Sequence, residues 1–446
     1  MSRHDAGAIA RTGVTAPRLA AAAVMRDLRA GGLLDSAFDA AGRPLDARDR
    51  RWLRELVYAV LRRRAWLDAV LDPRIRSGMA RLDPDIRDLL RLGVAQLLFM
   101  DSVPAYAAIA QTVEQAKGAG VGASKLVNAV LRRVERERAS LAPATPRDPL
   151  DALALTHSHP RWLVARWVAR WGAAATASLL EANNAEAHTI LRPHGLVREQ
   201  LEAMLEAAGV QTFEPPLAPD GLGVQHGVAV TQLGVFQQGH AFVQDPAATM
   251  VTRYAAIAPN ASVADLCAAP GGKSFELART AGIVVACDAS VPRLRRLVDS
   301  VERLHESRVH AVACDARHPC VRAVDVVLLD APCTGTGTFR RHPDARWRLK
   351  PSDLAVMSAV QRTLLDAAAH VVAPGGLLVY STCSLEAEEN DEQVETFLAT
   401  HPDFVLEPPP AGTIPESALD AGRLRVLPHV HGTDGSFAAR LRRRAA

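Results

Sequence analysis

The sequence predicts a multidomain protein: an all-α N-terminal domain, a small α+β subdomain and a C-terminal doubly wound α/β domain. Three observations predict it. Apolar residues in the first 140 positions recur at helical spacing, and no alternating strand pattern appears among them. A proline-bearing stretch, LAPATPRDPL at 141–150, then interrupts the periodicity as a linker would. From about residue 241, short apolar runs bounded by turn residues alternate with helical stretches. That is the pattern of a mostly parallel sheet covered by helices.

The elements follow in order. In the domain assigned to 1–140, Leu53, Leu56, Val57, Val60 and Leu61 fall on one helix face. Leu89, Leu90, Val94, Leu97 and Leu98 fall on another. Asp72-Pro73, Asp83-Pro84 and Val103-Pro104 mark helix ends. Within 151–240, Pro160 opens an amphipathic helix carrying Trp162, Trp167 and Trp171. Such a stripe is more often core than a base-stacking platform. A short strand is predicted at 228–231. In 241–446, strands are predicted at 263–266, 283–286, 324–329 and 377–380, with a further one ending near Cys314.

Composition narrows the class. The chain has 446 residues, 48% hydrophobic and 23% charged, which excludes wholesale disorder. No apolar run approaches the ~18–20 residues of a membrane span. The opening MSRHDAGAIARTG has no apolar core of a secretory signal. Six cysteines are too few for a disulfide scaffold of this length, and none forms a C-x-x-C pair. A cytoplasmic protein with free thiols is therefore expected. The net charge of +3 divides unevenly: residues 1–140 carry +8 and the remainder −5. A basic module on an acidic body suits a polyanion partner. Only four basic residues are lysine, namely Lys117, Lys125, Lys273 and Lys350. Each is a candidate for work that arginine cannot do.

Ligands of doubly wound sheets bind at the carboxyl ends of strands, and the chemistry-bearing residues cluster there. The first predicted strand runs into Asp265-Leu266-Cys267-Ala268-Ala269-Pro270-Gly271-Gly272-Lys273-Ser274, a tight glycine turn opening a helix. A Walker loop would need glycine at position 267, which is Cys267, and the dinucleotide fingerprint is absent. The second strand ends at Asp288, 23 residues after Asp265, where a ribose diol is commonly held. Cys314-Asp315 follows. The fourth gives Asp330-Ala-Pro332-Cys333-Thr-Gly335-Thr-Gly337, and the fifth gives Tyr380-Ser381-Thr382-Cys383-Ser384. Two strand-end thiols beside a cofactor turn suggest nucleophilic catalysis. Cys314, Cys320, His310 and His318 match no common zinc spacing, so no metal is expected.

These motifs resemble the RNA cytosine-C5 methyltransferases of the Nop2/Sun family. Phe242-Val-Gln244-Asp245, Ser290-x-x-Arg293, the stretch Arg340-Arg341-His342-Pro343-Asp344, Gln361 and Asp434-Gly435-Ser436-Phe437 agree with it. The segments Asp49-Arg50-x-x-x-x-Glu55-Leu-Val-Tyr58, Leu92-Gly-Val-x-Gln96 and Asn128-Ala-Val-Leu-Arg132-Arg133 resemble a NusB-like RNA-binding domain. The combination is the arrangement of a bacterial branch of the family that modifies one cytosine in 16S rRNA. Departures are peripheral: Thr249-Met250 where Gln-Leu is frequent, Ser436 where an aromatic is common, and Glu302 for a frequent Asn.

The resemblance implies a Rossmann-like methyltransferase domain that uses S-adenosylmethionine. It implies Cys383 as the nucleophile on C6 of cytosine, Cys333 as the thiol assisting product release, and Asp330 on the N3/N4 edge of the base. Cofactor contacts are implied for Cys267, Ala268, Ala269, Pro270, Gly271, Gly272, Lys273, Asp288 (ribose), Arg293, Asp315 (adenine) and Asp330. Arg340 and Arg341 are expected to meet RNA. The expected partner is 16S rRNA or an assembling small subunit, with a monomeric enzyme and no membrane. Two other classes compete. A non-catalytic RNA-binding or antitermination factor would not need both cysteines beside a cofactor turn. A thiol-redox protein would not need Asp288, Asp315 or the glycines.

Overall fold

The structure is a computed structural model describing residues 13–445; the stretch read for a secretory signal lies almost wholly outside the described residues. The chain forms two compact units.

The first unit holds the described residues up to Asn184 together with His342–Arg348. Its helices are α1 (Ala16–Arg29), α2 (Leu34–Gly42), α3 (Ala47–Arg62), α4 (Arg64–Leu71), α5 (Pro84–Phe99), α6 (Ala105–Ala116), α7 (Val121–Arg136), α8 (Pro149–Thr156) and α9 (Arg161–Asn184), the last interrupted at Gly172. The faces read from the sequence are the buried ones. Leu53, Leu56, Val57, Val60 and Leu61 of α3 meet Leu89, Leu90, Val94 and Leu97 of α5 in one apolar core, and Leu98 lies at its margin. Asp-Pro dipeptides start helices here as well as ending them. The Asp83 carboxylate accepts the Asp85 and Ile86 N–H groups, and Pro84 occupies the first turn, where its missing N–H costs nothing. Of the three tryptophans on α9, Trp167 is buried and Trp162 and Trp171 are half-buried. Arg346 is fully buried in this unit and donates to Asn184 Oδ1 (2.7 Å) and to the Asn183 carbonyl (3.0 Å).

The second unit comprises Ala185–Arg341 and Leu349–Ala446. It opens with a four-stranded antiparallel sheet of order β2-β3-β1-β4, built from β1 (Thr189–Pro193), β2 (Thr212–Phe213), β3 (Leu222–Val224) and β4 (Ala241–Val243). Helix α10 (Arg198–Ala207) covers it with Leu201 and Leu205. The strand expected at 228–231 is instead a 3-10 turn, Val230–Gln232. Strand β4 takes the place beside β1, so Val230 reaches the small core from a turn rather than from a ladder.

The larger sheet has the order β11-β12-β13-β9-β8-β5-β6-β7. Strands β5 (Ser262–Asp265), β6 (Ile283–Asp288), β7 (Val309–Ala313), β8 (Val324–Asp330) and β9 (Val372–Thr382) run parallel. Helices α11 (Pro246–Ala255), α12 (Gly272–Ala278), α13 (Val291–Leu304), α14 (Pro351–Ala369) and α15 (Asp391–Thr400) accompany them, and two apolar clusters pack against the sheet. The sheet is more mixed than the sequence pattern suggested. β10 (Phe404–Leu406), β11 (Leu419–Asp420), β12 (Arg423–Val426) and β13 (Ser436–Arg443) extend it with antiparallel pairing. β13 was hidden by its arginines. Arg440 lies in it and is 2% exposed, with its charge met by Glu407 and by the Ala255 carbonyl.

The strand order places the site. β5 is followed by β6 on one side, while its other neighbour is β8. The chain therefore reverses direction across the sheet beside β5, and a crevice opens at that switch point. Among the described residues, no helix is long and apolar enough to cross a membrane.

Candidate active site

Asp265 ends β5, and the chain turns through 266–271 into α12. The turn is held from below: the Ala268 N–H donates to the Cys287 carbonyl (2.8 Å), and the Leu266 N–H to the Leu328 carbonyl (2.9 Å). Gly271 sits at φ +108°, and a Cβ there would meet the Phe275 ring at 2.8 Å, so only glycine closes this turn without displacing the core. The turn lines a cavity of about 180 Å³ with Gln244, Asp265, Cys267, Ala268, Ala269, Pro270, Gly272, Lys273 and Asp330. The sequence-predicted cofactor residues Cys267, Ala268, Ala269, Pro270, Gly272 and Lys273 are thus brought together with Asp330 at the end of β8, while Gly271 does not line the cavity.

Two polar atoms at this cavity lack partners. Asp265 is buried; its Oδ2 accepts from Ser274 Oγ (2.7 Å), while Oδ1 has no hydrogen-bond partner. Gln244 is also buried, and its Nε2 is unpaired while its Oε1 accepts from Thr249 (3.0 Å). Burial pushes the Asp265 carboxyl up to about 7; the Ser274 hydroxyl pulls it back and the Asp330 carboxylate adds to the rise. Unpaired buried polar atoms are costly and call for a ligand. One acceptor and one donor suit the zwitterionic amino-acid end of S-adenosylmethionine. Neither residue was assigned a ligand role from the sequence, because an orphaned atom is visible only in three dimensions.

Asp288, at the end of β6, is buried. Its Oδ2 accepts the Ala269 N–H (3.1 Å) and its Oδ1 accepts the Ser290 N–H (2.8 Å), so it also holds the glycine turn in place. Arg293 lies 3.6 Å from Asp288 and donates to the Ala269 carbonyl. Asp315 follows β7 at the edge of the sheet. Its carboxylate is forked by the Arg317 guanidinium and accepts the Arg317 N–H (2.9 Å), which together hold it down to about 2. Asp288, Arg293 and Asp315 do not line the 180 Å³ cavity.

The cysteines come together at the other side of the switch point. Cys333 Sγ and Cys383 Sγ are 3.3 Å apart, although 50 residues separate them. The hydrogen bond to Cys383, reinforced by burial, holds the Cys333 thiol well above its ordinary value. Lys273 Nζ donates to Asp330 Oδ2 (2.7 Å), and Ser381 Oγ to Asp330 Oδ1 (2.7 Å). Burial pulls the Lys273 ammonium down, but the Asp330 carboxylate, with Cys383 beside it, outweighs burial and leaves it raised.

One carboxylate organises both cysteine loops. Glu389 is fully buried and accepts from the Thr334 N–H (2.9 Å), Gln361 Nε2 (2.9 Å), the Thr334 hydroxyl and the Ser384 hydroxyl. Thr334 follows Cys333 and Ser384 follows Cys383. Gly337 completes the approach: its N–H donates to the Cys383 carbonyl (2.9 Å), and a Cβ there would meet that oxygen at 2.7 Å. Glu389 was missed because Glu386-Ala-Glu388-Glu389-Asn390 reads as a solvated acidic helix start.

Arg340 and Arg341, expected to meet RNA, sit in an ion-pair network. Both guanidinium groups are engaged by Asp245 and Asp434 (2.5–2.8 Å), and the Arg340 side chain is 11% exposed. Their charge is met inside the protein, where they join α11's first turn to the approach to β13.

Comparison with known proteins agrees with this architecture. The profile of the 16S rRNA methyltransferase RsmB/F family matches residues 254–442, that of the NusB family 15–136, and that of the RsmF/B-like ferredoxin-like domain 159–231. A probable ribosomal RNA small subunit methyltransferase B of Synechocystis sp. is 36% identical, over 94% of this chain and 98% of that protein. The ribosomal RNA small subunit methyltransferase B of Xylella fastidiosa is 38% identical, over 89% and 92%. The crystal structure of PH0851 superposes with a TM-score of 0.80 at 28% identity, covering 95% of this chain and 98% of that one. With a NusB domain, a ferredoxin-like subdomain and a methyltransferase domain in this order, and with relatives matched over nearly their whole length, the chain belongs to the ribosomal RNA small subunit methyltransferase B family.

Proposed function

We propose that this protein transfers a methyl group from S-adenosylmethionine to C5 of one cytosine in 16S rRNA, through a covalent bond between Cys383 and C6. The observation that carries the reading is the 3.3 Å approach of Cys333 and Cys383 beside the Lys273–Asp330 pair, at the edge of a cavity with one unpaired donor and one unpaired acceptor.

Bound at the glycine turn, S-adenosylmethionine supplies an electrophilic methyl group. Asp265 Oδ1 and Gln244 Nε2 are the groups to hold its amino-acid end. Asp288 is assigned the ribose hydroxyls, since each of its oxygens keeps an acceptor position after its one backbone contact. Asp315 is assigned the adenine amino group.

C5 of cytosine is a weak nucleophile. The Cys383 thiolate adds to C6, and the ring becomes an enamine whose C5 can attack an electrophile. The two thiols are not equivalent. Cys333 is kept protonated by its hydrogen bond to Cys383 and by burial. Cys383 is assigned as the nucleophile by the resemblance of its Tyr380-Ser381-Thr382-Cys383-Ser384 motif to the family's. Asp330, fixed by Lys273 and Ser381, is placed to bind the N3/N4 edge as charge builds on the ring. After C5 loses its proton, Cys383 is expelled from C6, and Cys333 assists this release. The base must leave its stack to reach the site, at a cost of a few kcal/mol. The basic helical domain over 1–140 and the subdomain over 151–240 supply RNA contacts, mainly to phosphates and shape.

The test uses purified protein, labelled S-adenosylmethionine and 16S rRNA lacking the modification, both deproteinised and within small-subunit particles. Bisulfite sequencing is expected to reveal one protected cytosine. Cys333→Ala is expected to accumulate a protein–RNA adduct that survives denaturation. Transfer to neither substrate, or transfer without any adduct, overturns the reading.

A further inference from the structure

Three cysteines outside the catalytic pair converge at the far side of the sheet. Cys287 lies in β6, Cys314 directly follows β7, and Cys320 lies on the loop leading on to β8. Their sulfur atoms all lie within 4.8 Å of one another. Cys287 is fully buried, Cys314 is 7% exposed, and Cys320 reaches the surface. The Cys320 backbone N–H donates to Cys314 Sγ at 3.0 Å. This N–H partly offsets the burial that holds the Cys314 thiol above its ordinary value.

From these observations we infer that Cys287, Cys314 and Cys320 form a three-thiolate binding site for a soft d10 cation, zinc or copper(I). The ligand set selects that class: sulfur alone suits soft cations, whereas calcium and magnesium demand oxygen. The dimensions suit it too. Metal–sulfur bonds of about 2.3 Å set ligand sulfurs roughly 3.8–4.0 Å apart, so the trio must contract by about 1 Å at most. The exposed Cys320 provides an entry path, and its side of the trio leaves a fourth position for water. On binding, each thiol gives its proton to solvent as its sulfur–metal bond forms, and no electron is transferred. The zinc set weighed from the sequence paired Cys314 and Cys320 with nearby histidines. In the structure the third sulfur comes from the neighbouring strand, 27 residues before Cys314, where spacing rules do not look.

The site is tested on the full chain carrying C333S and C383S, which removes the catalytic thiols as competing ligands. The reduced protein is titrated with Co²⁺, followed by its thiolate-to-cobalt charge-transfer absorption. Zn²⁺ and Cu(I) are then added separately to displace the cobalt. The expected result is one equivalent of cobalt bound with thiolate absorption, displaced by one of the two cations. Adding C320S, an exposed and conservative change, is expected to weaken binding at least tenfold and to bleach the band. Absence of a stoichiometric band, displacement by neither cation, equal affinity in C320S, or a Cys314–Cys320 disulfide in the protein as isolated would overturn the assignment.

Discussion

The two halves of the site are built on opposite principles. At the end of β5 the glycine turn leaves buried polar atoms open: Asp265 Oδ1 and Gln244 Nε2 have no partner. At the ends of β8 and β9 the loops are tied together, with four donors converging on the Glu389 carboxylate. The first half must receive a small ligand, so its unmet hydrogen bonds are potential binding energy. In the proposed reaction the second holds two sulfur atoms at a set separation while a base enters, so its hydrogen bonds are spent on rigidity. Substitutions in the first half should therefore change affinity, and those in the second should change rate.

The largest expected effect lies in the second half. Cys383→Ala should abolish methyl transfer and leave cofactor affinity, read by calorimetry, within about twofold, because this thiol contributes chemistry and no packing to the turn. Next comes Glu389→Gln, which keeps the shape but loses the charge that gathers the donors. A transfer rate about 100-fold lower is expected, with cofactor affinity unchanged, since misplacing reacting groups by about 1 Å costs that much. Glu389→Ala should in addition destabilise the unit by roughly 3 kcal/mol in denaturant titrations, because Thr334, Gln361 and Ser384 lose a buried charged partner. A comparable loss of cofactor affinity in either variant would dissolve the distinction between the halves.

The first half gives smaller effects. Asp265 titrates at about 7. Below that value it is protonated and neutral; above it the carboxylate attracts the ammonium group of the cofactor. Affinity for S-adenosylmethionine should therefore rise as pH increases from about 6 to about 8. Asp265→Asn should weaken binding about tenfold at the higher pH and flatten this rise. A rise that persists in the variant would place the titrating group elsewhere. The smallest change is expected for Gln244→Ala, about threefold weaker binding with an unaltered single-turnover rate at saturating cofactor.

The sequence showed most of what depends on local pattern. The faces of α3 and α5, the parallel strands and the residues at their carboxyl ends were readable because helical periodicity and buried strand runs are properties of neighbouring residues. The candidate site motifs were readable because each is a contiguous strand end. Where the signal was ambiguous, tertiary competition decided. Residues 228–231 looked like a strand, but β4 occupied the place beside β1. No strand was read around Arg440, whose charge Glu407 and the backbone of α11 meet inside a sheet.

Arg340 and Arg341 likewise gain partners that only the fold supplies. A paired arginine in a loop near an RNA enzyme's site reads as a phosphate contact, and only the folded chain brings Asp245 and Asp434 to it. By itself, then, the sequence determined the class of protein and the order of its parts and singled out Cys333 and Cys383 as candidates, because these are written in short contiguous motifs. The tertiary structure alone decided which polar atoms are left unpaired for a ligand, which acidic residue binds the two cysteine loops together, and which cysteines meet across neighbouring strands. Those are properties of convergence between distant segments, and sequence spacing carries no record of it.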